Sequence, residues 1–107
     1  MSRVRIEFSQ EELEAICRRR AVKPLALFGS VLRDDFGPDS DVDVLIEFRD
    51  DFEGLRIYKI YDELEALFGG RRVDLVDPKR LNPRLRAYVM ASVEDLYEAP
   101  EAVGVGP

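Results

Sequence analysis

The chain of 107 residues predicts an α/β sandwich, with helices packed on one small sheet. Two observations carry this. Short apolar runs of strand length alternate with stretches of helical period, and glycine or proline marks most of the junctions between them. The length, with 46% hydrophobic and 36% charged residues, leaves room for one modest core under a well-solvated surface.

Ser9 followed by Glu12 forms a capping box, and Leu13, Ile16 and Cys17 recur at helical spacing behind it, so residues 10–20 read as an amphipathic helix. Cys17 falls on the buried stripe and reads as a small core hydrophobe, since nothing nearby would activate its thiol. VKPLALF, residues 22–28, is a strand ended by Gly29, with Pro24 tolerable near its start. Residues 30–36 read as a short helix, with Ser30 as N-cap and Gly37-Pro38 as its stop.

DVDVLIEF, residues 41–48, alternates. Val42, Val44, Ile46 and Phe48 fall on one face of a second strand, and Asp41, Asp43, Leu45 and Glu47 on the other. Residues 53–68 carry Ile57, Tyr61, Leu64, Leu67 and Phe68 at helical spacing and stop at Gly69-Gly70, which makes the longest helix. In RRVDLVD a third strand turns Val73 and Leu75 one way and Asp74 and Val76 the other, and Asp77 before Pro78 reads as a turn residue. Asn82-Pro83 starts a last helix, with Leu85, Tyr88 and Val89 as its buried stripe up to about Ser92. Leu96 and Tyr97 add a short closing element, and the tail EAVGVGP has little to bury and is expected to fray. Strand directions are not legible at this level.

Composition narrows the chemistry. With no histidine and one cysteine, imidazole bases, thiolate metal clusters and internal disulfides are excluded, so any reaction must run on carboxylates. A formal net charge of -6 disfavours a polynucleotide as main partner. No run approaches the ~18 apolar residues of a membrane span, and the N-terminus lacks the apolar region of a signal peptide, so the cytoplasm is the expected location.

The stretch FGSVLRDDFGPDSDVDVLI then holds the candidate site. Asp41 and Asp43, two apart on a strand, project from one face and can reach a common divalent ion; a hard cation such as magnesium prefers such oxygen ligands. Without a cation the two charges repel, and the alternative is a solvated edge-strand face. Gly29 and Ser30, at a strand exit and before a helix N-terminus, suit the approach of an anion, although Ser30 also serves as a simple N-cap. Asp74 becomes a third carboxylate if its strand pairs beside the second, able to bind a second metal or accept a hydroxyl proton; otherwise it is an exposed strand residue. A phosphate grip beside a metal cradle is the minimum equipment for nucleotidyl transfer.

FGSVLRDDFGPDSDVDVLIEF resembles the signature of the DNA polymerase beta-like nucleotidyltransferase superfamily: Gly-Ser, then D-x-D at fixed spacing, with Arg33 shortly after the Gly-Ser and Ser40 before the first aspartate. VDLVD resembles that family's third-carboxylate strand, and the flanking helices fit its minimal, antitoxin-type branch in length. The resemblance implies a mixed sheet of three to four strands with helices on one face, a nucleotidyltransferase domain over residues 1–98 and a flexible tail over 99–107. It implies Asp41, Asp43 and Asp74 as the catalytic, metal-binding triad, with Gly29, Ser30, Arg33 and Ser40 at the nucleotide. It further implies magnesium, with two ions, ATP as substrate, and a HEPN-domain toxin as the partner whose hydroxyl receives AMP. One departure stands out: many members have glycine and then an acid after the arginine, where this chain has Asp34 and Asp35.

Two rivals remain. Asp39, Asp41 and Asp43 sit at the alternate spacing of a calcium loop, but the sixth position is Val44 in place of glycine and the twelfth is Asp50 in place of glutamate. The second rival keeps the fold without catalysis, the chain neutralising its partner by complex formation alone.

Overall fold

The computed structural model describes residues 4–49 and 54–100. Its elements run α1 (Gln10–Arg19), β1 (Val22–Phe28), a 3-10 turn (Gly29–Leu32), β2 (Val42–Phe48), α2 (Gly54–Leu67), β3 (Val73–Val76), a second 3-10 turn (Pro78–Arg80), α3 (Pro83–Met90) and β4 (Glu94–Glu98). The alternation legible in the sequence is therefore present, with β1 on the expected residues. The expected fraying of EAVGVGP and the start of the longest helix at residue 53 fall outside the described residues.

Four strands form one mixed sheet in the order β3-β2-β1-β4. β1 pairs antiparallel with β2 and with β4, whereas β2 and β3 run parallel. A parallel pair needs a long crossover, and α2 supplies it. Between Val22 and Leu25 the β1–β2 register shifts at a bulge, which lets Val22 and Leu25 turn to the same side and gives Pro24 a place in the strand.

One face of the sheet carries the main core. Leu25 and Leu27 of β1 and Val42, Val44 and Ile46 of β2 pack there with Leu13, Ile16 and Cys17 of α1 and Ile60, Leu64 and Phe68 at α2. Ser9 caps α1 by accepting from the Glu12 amide at 3.1 Å, and burial pushes the Cys17 thiol up to about 12, so it is an inert core group. Arg19 and Arg20 at the end of α1 both bond Glu63 of α2, clamping the two helices outside the core.

The opposite face is thinly covered. Ala26, Leu45 and Val89 form a small cluster there, so α3 lies across the sheet from α1 and α2. This corrects the expected stripe on α3: of Leu85, Tyr88 and Val89 only Val89 is buried, and Tyr88 is 77% exposed. An eight-residue helix over a face of small area can bury one row at most, however regular its apolar spacing. Asn82 does cap it, accepting from the Leu85 amide at 2.9 Å.

Candidate active site

Asp43 lies within β2 and Asp74 within β3, and the parallel register sets them opposite each other. Their neighbours Val42, Val44, Val73 and Leu75 turn into the main core, so period-two alternation turns both carboxylates to the thinly covered face. Asp41 stands one residue before β2, exposed, with Oδ1 3.5 Å from Nε of Arg72.

Gly29 closes the site from the β1 side. Phe28 pairs with Asp43, and Gly29 follows with φ +78°, in the left-handed region that side chains disfavour. A Cβ built there would stand 2.3 Å from Oδ2 of Asp43. The glycine is thus required twice over, by its backbone angle and by the carboxylate it admits.

Partial burial holds the Asp43 carboxyl above the usual aspartate range, the charges of Asp74 and Asp41 add to this, and Arg33 opposes it. A carboxylate pressed by two others and short of solvent calls for a cation. The donor set is oxygen only, which suits a hard divalent ion, and magnesium fits it. Among the described residues no three potential ligands already stand together in ligating arrangement. Asp41, held toward Arg72, is the outlying member.

The glycine-serine segment differs from expectation. A four-residue 3-10 turn, Gly29–Leu32, replaces the helix over 30–36; Phe28 occupies the cap position and no side chain caps it. Gly29 has already taken the left-handed conformation and Arg33 is extended, so no α-helix can propagate. Ser30 is therefore free of the capping role. Arg33 is exposed, with Nε 3.3 Å from Asp35 Oδ1, while its charge reaches Asp43. The Ser40 hydroxyl accepts from the Gly37 amide at 3.0 Å, and the Ser40 amide donates to the Gly37 carbonyl at 3.1 Å, so Ser40 ties the loop ahead of Asp41. Asp77 is the turn residue expected, accepting from the Lys79 amide at 2.9 Å. The calcium-loop rival fails on the structure, because the residues after Asp41 form β2.

Sequence reasoning missed Arg71 and Arg72. Arg71 Nη1 donates to the Gly37 carbonyl at 2.8 Å, and its guanidinium lies 4.4 Å from the centre of the Phe36 ring. Nothing in RRVDLVD distinguishes these arginines from solvated charges; their role comes from a loop more than thirty residues away in the chain. With Asp39, Ser40, Asp41 and Gly70 they line an open groove of about 340 Å³.

Comparison with known proteins agrees with this geometry. The nucleotidyltransferase domain family matches residues 10–99. The protein adenylyltransferase MntA of Thermococcus cleftensis is 34% identical over 91 residues, covering 78% of this chain and 91% of the relative. A solved structure described as a candidate minimal nucleotidyltransferase superposes with a TM-score of 0.68 at 34% identity, over 78% of this chain and 85% of that one. A toxin-antitoxin structure with AMP-PNP reaches 0.66 at 19% identity, over 85% and 74% of the two chains, and a complex of a tri-AMPylated Shewanella oneidensis HEPN toxin with its MNT antitoxin reaches 0.59 at 20%, over 84% and 70%. These last two show likeness of fold. The family match and the two relatives at 34% identity establish that this chain belongs to the nucleotidyltransferase family, in its minimal branch, and is a nucleotidyltransferase.

Proposed function

We propose that the chain is a magnesium-dependent protein adenylyltransferase that moves AMP from ATP to a hydroxyl of a HEPN-domain toxin and so acts as its antitoxin. The observation that carries this is the pairing of Asp43 with Asp74 across parallel strands, beside a glycine whose missing side chain makes room for the Asp43 carboxylate. The relative from Thermococcus is named for the same activity, and the Shewanella complex joins an AMPylated HEPN toxin to an MNT antitoxin.

Asp41, Asp43 and Asp74 would hold the metal, with room in the family for two ions. When bound, magnesium neutralises the carboxylates and draws charge from the phosphates. The backbone of the 3-10 turn at Gly29 and Ser30, the freed Ser30 hydroxyl and the Arg33 guanidinium serve the triphosphate, with Ser40 shaping the loop at its edge. Asp74, the more exposed of the paired carboxylates, accepts the proton of the incoming hydroxyl. The hydroxyl oxygen bonds to the α-phosphorus, the bond to the bridging oxygen of the β-phosphate breaks, and pyrophosphate leaves. The reaction draws on ATP and so belongs in the cytoplasm; no helix among the described residues is long and apolar enough to cross a membrane.

The test is incubation with magnesium, ATP labelled at the α-phosphate and a HEPN-domain toxin, followed by mass spectrometry. Label on a partner hydroxyl, lost with Asp43→Asn, is the expected result. A complex that forms and silences the toxin with no label transferred would overturn the catalytic reading in favour of neutralisation by binding.

A further inference from the structure

We propose that Arg71 is a positioning residue for the cation site: through the loop over residues 36–40 it fixes where Asp41 stands relative to Asp43 and Asp74. The proposal rests on the metal-binding reading above and adds a residue that reading does not contain.

The three carboxylates are not held alike. Asp43 and Asp74 sit inside strands, where the β2–β3 ladder sets their spacing. Asp41 precedes the strand, and its placement depends on the loop that delivers it. That loop turns back on itself between Gly37 and Ser40. Among the described residues its side-chain tie to the start of β3 is Arg71. Arg71 Nη1 donates to the carbonyl of Gly37 at 2.8 Å, with those of Pro38 and Ser40 each at 3.4 Å, and the guanidinium plane lies over Phe36. One residue on, the Val42 amide donates to the Arg72 carbonyl at 2.8 Å, opening the ladder. Asp41 therefore sits between two anchors, one from the Arg71 side chain and one from the Arg72 backbone.

The geometry needs an arginine. With its face on the Phe36 ring a guanidinium still donates in its own plane, here from Nη1 alone, whereas an ammonium has no face to stack. Electrostatics opposes this placement, since a fixed positive charge beside a cation site repels the ion it serves. An arginine kept there for its charge would weaken the site; one kept for its shape strengthens it. Arg72 provides the contrast. Its side chain is 81% exposed and pairs directly with Asp41, so it competes with a metal for that carboxylate.

The two neighbouring arginines should consequently have effects of opposite sign. The probe is Mn2+ alone, titrated into the intact protein by calorimetry, with no nucleotide or turnover involved. Arg71→Gln should weaken Mn2+ binding about 10-fold or more, the usual effect of removing a group that orients a metal ligand. Arg71→Lys, which keeps the charge, should not restore it, and Phe36→Leu should show a smaller loss in the same direction. Arg72→Gln should bind as well as wild type or more tightly. Arg20→Gln, at the α1–α2 clamp, controls for general loosening and should leave Mn2+ affinity alone. Folding of each variant is checked by its thermal midpoint. Tighter or unchanged binding by folded Arg71→Gln, full rescue by Arg71→Lys, or an equal loss in Arg20→Gln would each overturn the proposal while leaving the triad in place. Wild type that takes up no Mn2+ would overturn the metal reading itself, and this proposal with it.

Discussion

On one face of the sheet Leu25, Leu27, Val44 and Ile46 lie under α1 and α2, with at most 3% of any of them exposed. On the other, Asp43 and Asp74 stand beside Gly29, and α3 covers little more than Ala26 and Leu45. The strands are shared, so alternate residues of a single segment, Val42 through Leu45, serve opposite ends. The covered face supplies the free energy that lets the other face hold repelling charges. A substitution on the covered face should cost stability and spare chemistry until the fold fails; one on the open face should cost chemistry and can raise stability.

The sharpest way to break this division is Leu64→Ala. Leu64 is fully buried in α2, and deleting it should destabilise the fold by about 2 to 5 kcal/mol in urea unfolding, with Mn2+ affinity of the folded fraction unchanged. Gly29→Ala should cost about 2 kcal/mol, from the left-handed backbone together with the clash against Asp43, and should also abolish transfer. It is the one position where both faces of the comparison fail together.

Asp43→Asn sharpens the division from the other side. It should abolish transfer while raising the thermal midpoint in metal-free buffer at neutral pH, because it removes a partly buried charge pressed by Asp74 and Asp41. A lowered midpoint would show that Asp43 is a structural residue.

Glu63 tests the helix clamp. Hydrogen bonding from Arg20, strengthened by Arg19, holds its carboxyl below the ordinary glutamate range, so its stabilisation is present above the unfolded-state pKa and is lost as pH falls through the folded-state value. Glu63→Gln should therefore destabilise by about 1 kcal/mol at pH 7 and by progressively less in acid, measured as unfolding free energy against pH. The smallest effect is a gain. Ala21 holds φ +58° after α1, and Ala21→Gly should add up to about 1 kcal/mol with no change in activity.

The elements on the covered face were legible because their signals are local and periodic: Ser9 before α1, the apolar run of β1, and the Gly69-Gly70 stop after α2. Even there Ile60, fully buried, escaped the stripe assigned to its helix. On the open face, alternation put Asp43 and Asp74 on one side of their strands, but their standing opposite each other depended on strand order, which no local pattern carries. The helix expected over residues 30–36 stopped after a single 3-10 turn because Arg33 turns extended, which local propensity does not reveal. Leu85 and Tyr88 misled for another reason: helical spacing says which residues share a side, not whether anything lies against that side. Arg71 was invisible because its acceptors are backbone carbonyls, and those have no sequence signature.

The parallel pairing of β2 with β3 also decides when the site exists. β3 is a four-residue strand at the sheet edge, joined to its neighbour β2 through the α2 crossover. A chain still emerging from the ribosome carries Asp43 well before Asp74 is made, so no partly made product can set the two opposite each other. In the finished protein, the Asp43–Asp74 pairing lasts as long as the β2–β3 ladder stays closed. Amide exchange along Val73–Val76 is then a clock for how often the nucleotidyltransferase takes itself apart.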